Sequence, residues 1–164
     1  MYKRQRYSRV AIVDTDMHHG QGIQEIFYAR NDVLYVSTHG DPTNFYPGVA
    51  GFADECGAGA GEGYNLNLPM PHGASEADFM SQLEIALDAV RDFAAEVLVL
   101  SLGFDIYELD PQSKVAVTRE GFAALGERIR ALRLPCLIVQ EGGYHLESLE
   151  ANAQAFFADK QDWR

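Results

Sequence analysis

Apolar residues along this chain follow two rhythms. Arg9–Val13, Val33–Ser37, Tyr64–Leu68, Val97–Leu102 and Leu137–Val139 are short runs rich in β-branched and apolar side chains, and each predicts a strand buried in a sheet. Between the third and fourth, Phe79, Leu83, Ala86, Leu87, Val90 and Phe93 recur at helical spacing behind a Ser75-x-x-Asp78 capping box. Phe122, Leu125, Ile129 and Leu132 do the same behind Thr118, a residue suited to an N-cap. Shorter helices are predicted over Ile23–Phe27 and from Leu146 to Ala158, and Pro69 is expected to close the third strand. His39–Gly48 reads as a polar loop, and residues 48–63, with six glycines, as an irregular one. No G-x-G-x-x-G there follows a strand and opens a helix, so the pattern does not support dinucleotide binding. Strands alternating with helices predict an α/β domain around a parallel sheet.

Polar residues fall where such a sheet would use them. Asp14, Ser37, Asp105 and Glu141–Tyr144 each come directly after an apolar strand, and open parallel sheets bind ligands outside the carboxyl ends of their strands. The densest of these stretches is V-D-T-D-M-H-H-G-Q-G at residues 13–22. In extended backbone Asp14, Asp16 and His18 would share one side. Two carboxylates and an imidazole without a cation are costly to desolvate. A divalent metal would relieve that cost, and the mixed oxygen and nitrogen donors suit zinc with a position left for water. A solvated polar turn would carry the same residues.

Composition narrows the function classes. With 164 residues, 47% of them hydrophobic and 23% charged, the chain fits a single domain able to bury a core. Its net charge of −11 argues against nucleic acid as a partner and is compatible with cationic substrates. No apolar run approaches a membrane span and no signal-peptide core is visible. Cys56 and Cys136 have no metal or redox spacing; Cys136 is expected in the core, and a cytoplasmic setting follows as the default. Met1-Tyr-Lys-Arg-Gln5 matches the translation of GTG-TAT-AAG-AGA-CAG, the end of a transposon adapter used in sequencing libraries. Residues 1–5 are therefore expected to be an adapter scar, with 6–164 a partial domain whose natural gene continues upstream.

Five motifs occur in order: D-T-D-M-H-H-G-Q-G (14–22), S-T-H (37–39), F-Y-P-G (45–48), L-G-F-D (102–105) and E-G-G-Y (141–144). Together they resemble the histone deacetylase superfamily, and the G-D-P after His39 places the resemblance nearest the bacterial acetylpolyamine amidohydrolase and histone deacetylase-like branch. The resemblance implies a three-layer α/β/α fold with a mainly parallel sheet, of which the N-terminal part is missing here. It implies Asp16, His18 and Asp105 as zinc ligands and Tyr144 as the hydroxyl that hydrogen-bonds the scissile carbonyl. Asp14 would orient a catalytic histidine and, with Ser37, Thr38 and backbone oxygens of Asp16 and His18, hold potassium. A second monovalent site would involve Phe27, Arg30, Val33 and Tyr64. Tyr46 corresponds to an aromatic wall of the substrate tunnel, and Gly142 and Gly143 would let the backbone lie close against it. Gln21 falls where a side chain orients a histidine, here without charge. His19, His39, His72 and His145 match no ligand position.

The same resemblance implies a general base from two adjacent histidines upstream of Arg9. No such pair exists here apart from His18-His19, so the chain is expected to be poorly active alone and to expose a sheet edge. The intact enzyme would be a zinc-dependent deacetylase acting on small cationic acetylated amines or acetyl-lysine, with a homodimer possible. One rival is a binuclear manganese ureohydrolase of the arginase type. That site needs a further aspartate two residues after Asp105, where Tyr107 stands. A second rival is a non-catalytic binding module of the same fold.

Overall fold

A computed structural model describes residues 7–158; the expected adapter scar at 1–5 lies outside the described residues. Seven strands appear, β1 (Val10–Asp14), β2 (Val33–Gly40), β3 (Asn65–Met70), β4 (Ala74–Ser75), β5 (Val97–Leu102), β6 (Val115–Ala116) and β7 (Cys136–Gln140). The helices are α1 (Gln21–Phe27), α2 (Glu76–Asp92), α3 (Arg119–Ala131) and α4 (Leu146–Phe156). Five strands form one sheet in the order β3-β2-β1-β5-β7, and every pair in it is parallel. All its strands therefore point their carboxyl ends to the same edge.

The two faces of the sheet are covered unequally. Ala11 and Val13 of β1, Leu34 and Val36 of β2, and Leu98, Leu100 and Leu102 of β5 join the main core. That core is closed by Phe79, Leu83 and Leu87 of α2, Phe122, Leu125 and Ile129 of α3, and Phe156 of α4. Alternate residues Ile12, Val33 and Tyr35 face the other way, against Ile23 and Phe27 of α1, as the two-residue period of a strand requires. The short α1 covers only part of that face. At the β7 edge Leu137 stays 60% exposed and Val139 39%.

Local signals account for the helices. The Ser75 side chain accepts from the Asp78 N–H while the Asp78 carboxylate accepts from the Ser75 N–H, which completes the capping box of α2. Thr118 caps α3 by accepting from the Gly121 N–H. Both Thr118 donors, its N–H and its hydroxyl, reach one oxygen of Glu76 at 2.7 Å and so tie the starts of α2 and α3 together.

Three expectations are corrected. β3 runs through Pro69 to Met70, because β3 is an edge strand and an edge tolerates a residue without an N–H. β2 continues through His39 to Gly40, with every residue buried. Cys136 is only partly buried, since β7 forms the opposite edge.

Candidate functional site

The site lies where the chain leaves β1, β5 and β7. After Asp14 the backbone turns, and neighbouring strands fix the turn: Thr15 N–H donates to the Ser101 carbonyl at 2.9 Å, and Gly40 N–H to the Met17 carbonyl at 3.0 Å. The Met17 side chain is fully buried in the core. The loops after β5 and β7 are joined by the Phe104 N–H, which donates to the Gly142 carbonyl at 2.7 Å. Three loops distant in sequence thus form one rigid rim.

Asp16, His18 and Asp105 meet on this rim. One ligand atom from each lies within 4.8 Å of the others. The Nδ1 atom of His18 is 3.2 Å from Asp16 Oδ1 and 3.0 Å from Asp105 Oδ2. The remaining carboxylate oxygens are held by backbone. Gly142 N–H donates to Asp16 Oδ2 at 2.7 Å, and Met17 N–H to Asp105 Oδ1 at 2.9 Å. A carboxylate fixed on one oxygen presents the other in a set direction, which is how outer partners orient metal ligands. Gly142 sits so close that a Cβ there would lie 2.6 Å from Asp16 Oδ2 and from Asp105 Cγ. Its backbone therefore packs against the two carboxylates. Two carboxylates and a ring nitrogen converging this way fit a divalent ion, and their chemistry suits zinc.

The electrostatics follow from the crowding. Hydrogen bonds to Asp105 and then Asp16 push His18 up to about 9. Burial works to raise Asp16, but hydrogen bonds from the His18 ring, the His18 N–H and the Gly142 N–H outweigh it and hold Asp16 below its ordinary value. Burial wins at Asp105, which is raised despite the His18 hydrogen bond. The carboxylates of Asp105 and Asp16 thus favour the protonated form of the His18 ring that lies between them.

A cleft of about 800 Å³ opens over the group, lined by Asp16, His18, Tyr46, Gly142 and Tyr144 among others. Aromatic rings frame His18. Phe45 stacks on it at 5.0 Å, while Tyr46 at 5.9 Å and Tyr144 at 6.5 Å stand edge-on. Tyr46 is 58% exposed and Tyr144 52%, so both hydroxyls are within reach of a ligand. Burial, then the carboxylates of Asp105 and Asp16, raise the Tyr144 phenol, which remains a proton donor at neutral pH. Gln21 Nε2 donates to the Tyr46 hydroxyl at 2.7 Å.

Asp14 lies beside the Asp16, His18 and Asp105 group and is not part of it. Its Oδ1 accepts from the Asp16 N–H at 3.1 Å and its Oδ2 from the Tyr35 hydroxyl at 2.9 Å, and burial pushes it up to about 7. Ser37 is its partner in register on β2, and the Thr38 hydroxyl donates to the Asp14 carbonyl at 3.3 Å. At the second expected monovalent site, the Phe27 carbonyl accepts from the Arg30 N–H and the Tyr64 carbonyl from the Tyr35 N–H, both at 2.9 Å. Arg30 also pairs with Asp32. His19 and His39 are buried against Asn67 and against Ser37 and Gly51; burial takes His39 down to about 4. Phe45 and Asp110 were not singled out by sequence. Phe45 stands beside Tyr46 in F-Y-P-G, whereas Asp110, next to Pro111, carries no motif that marks it.

The family model for the histone deacetylase domain matches residues 1–160. The chain belongs to the histone deacetylase family. Within that family it is 71% identical over 154 residues to an acetylpolyamine amidohydrolase of Burkholderia pseudomallei, covering 94% of this chain and 45% of the relative. Acetylpolyamine amidohydrolase 1 of Pseudomonas aeruginosa is 47% identical over 145 residues, covering 88% of this chain and 42% of that protein. The fold agrees as well. A crystal structure of acetylpolyamine aminohydrolase from Burkholderia pseudomallei superposes with a TM-score of 0.93 at 71% identity, covering 93% of this chain and 45% of that one. A histone deacetylase homologue from Aquifex aeolicus gives 0.84 at 35% identity, with 92% and 40% covered. The chain spans under half the length of the relatives it matches. No helix among the described residues is long and apolar enough to cross a membrane.

Proposed function

We propose that this chain carries the metal-binding part of a zinc-dependent deacetylase that hydrolyses the acetyl amide of acetylated polyamines or acetyl-lysine-like substrates. The observation that carries the reading is the convergence of Asp16, His18 and Asp105 under a cleft that also presents Tyr144. Zinc bound there supplies a Lewis acid for the acetyl carbonyl and lowers the pKa of water. The Tyr144 hydroxyl donates a hydrogen bond to the carbonyl oxygen, which strengthens as negative charge develops on it. Tyr46 and Phe45 wall the alkyl chain that bears the acetamide and exclude water, and Gln21 holds Tyr46 in place. Potassium at the ends of β1 and β2, among Asp14, Ser37 and Thr38, belongs to the same reading as a structural ion.

The substrate class rests on the 71% identity to a relative named acetylpolyamine amidohydrolase, and the net charge of −11 favours approach of a cationic amine. A general base is the missing part. Among the described residues His19 borders the cleft but is buried with its Nε2 on Asn67 Oδ1, and His39 is buried between Ser37 and Gly51, so neither is presented as a base and the chain alone turns over substrate poorly. The test is a hybrid in which this chain follows the part of the Burkholderia relative that it does not cover. The hybrid should deacetylate N-acetylated diamines, and Asp105→Asn in it should abolish turnover. A folded, zinc-loaded hybrid without turnover would overturn the reading.

A further inference from the structure

Asp110 lies in the loop between β5 and β6, away from the three-residue metal group, and is buried. Its carboxylate is used up by main chain. Oδ2 accepts from the N–H groups of Tyr144 at 2.7 Å and His145 at 2.9 Å. Oδ1 accepts from the Gln112 N–H at 2.9 Å. Among the described residues no other side chain spans from the Asp105 loop to the Tyr144 backbone in the same way.

The need for such a hold is visible on both sides of it. Tyr144 follows two glycines, the least restrained pair of residues in a chain, and Gly143 has φ of +148°. Gly142 is pinned by its N–H to Asp16 and its carbonyl to Phe104. The Tyr144 ring is 52% exposed, so packing does little to fix it. What fixes the backbone beyond the glycine pair is the carboxylate of Asp110, which also suits the positive end of α4 just after His145. We propose that Asp110 is the positioning residue of Tyr144: it locks the main chain from which the phenol is presented to an acyl oxygen at the metal group. This rests on the proposed role of Tyr144 as hydroxyl donor. A carboxylate is required because both of its oxygens accept; an amide can serve Tyr144 and His145 or Gln112, and not both.

Two readouts on the full chain test this. The first is backbone amide hydrogen exchange. Asp110→Ala should speed exchange at Tyr144 and His145 by about tenfold or more while the Gly142 amide, held by Asp16, is unchanged. The second is binding of acetohydroxamate to the zinc-loaded chain. Tyr144→Phe and Asp110→Ala should each weaken it by about tenfold, the worth of one hydrogen bond. The double variant should be no weaker than Tyr144→Phe alone, and zinc affinity should be the same in all. Asp110→Asn should fall between wild type and Asp110→Ala, and it serves if the alanine variant does not fold. Unchanged exchange at 144 and 145, or losses that multiply in the double variant, would overturn the proposal. Unchanged hydroxamate affinity in Tyr144→Phe would instead overturn the role of Tyr144 itself, a failure set apart because exchange still responds to Asp110→Ala.

Discussion

The Nδ1 atom of His18 lies 3.0 Å from Oδ2 of Asp105, a residue 87 positions further along the chain. The contact is made possible by parallel pairing. β1 and β5 are adjacent in register, with Asp14 opposite Ser101, so their exits deliver His18 and Asp105 to one point. Asp105 is also held by the Met17 N–H, and His18 by its own N–H on Asp16 Oδ1.

Metal uptake should depend on pH through His18. Its imidazole must be neutral to bind a metal, yet its carboxylate neighbours push it up to about 9. Below that value binding displaces a proton, so apparent affinity should fall about tenfold for each unit of acidification. Titration calorimetry in buffers of different ionisation heat should show about one proton released per ion at pH 8. Folding of the metal-free chain has the opposite sign. A histidine raised in the folded state contributes stability that is complete below about 6.5 and is lost as pH rises through about 9. Urea midpoints across that window should decline, and a rising midpoint would contradict the assignment.

Gly142→Ala should damage the metal group while sparing the sheet. The new methyl would approach Asp16 Oδ2 to 2.6 Å and collide with the Asp105 carboxylate, forcing both ligands off line. Metal affinity should drop on the order of 10–100-fold, as for other changes in groups that orient ligands. Competition against a chromogenic chelator measures this, with far-ultraviolet circular dichroism expected to be unchanged.

Tyr144→Phe removes one hydroxyl from a half-exposed ring and no buried contact. In the active hybrid it should lower kcat by about 10²–10³-fold, the usual cost of losing an oxyanion donor. KM and bound metal should change little. Turnover near that of the unmodified hybrid would remove Tyr144 from the chemistry.

At the β7 edge, Leu137 and Val139 stand exposed beside a row of unpaired backbone groups. Such an edge favours self-association. Leu137→Lys should reduce the concentration dependence of the sedimentation coefficient. The substitution should leave metal affinity unaltered, since residue 137 lies three positions before the rim at Gln140.

Much of this was legible because the strands and long helices have strong periods. Leu83, Ala86, Leu87 and Val90 announced α2, and Val97–Leu102 announced β5, and each lies where that pattern put it. β4 and β6, two residues each, are too short for any period and exist through tertiary pairing. The passage through Pro69 depended on β3 being an edge, a fact of topology and not of local sequence. At the site, alternation from Asp14 through Asp16 to His18 suggested one shared side. In fact the strand stops at Asp14, and Asp16 and His18 converge through a turn fixed by Thr15, Met17 and Gly40. The role of Asp110 was invisible because, beside the local Gln112 N–H, it rests on backbone N–H groups 34 and 35 residues away, which leave no trace in side-chain pattern.

The most direct test is to load the chain with zinc, remove the excess, and record metal content with the zinc X-ray absorption spectrum. The account predicts one zinc per chain, with oxygen and nitrogen donors at about 2.0–2.2 Å and no sulfur, and loss of the ion in Asp105→Ala. Two ions per chain, a sulfur shell from Cys56 or Cys136, or full occupancy in Asp105→Ala would contradict it.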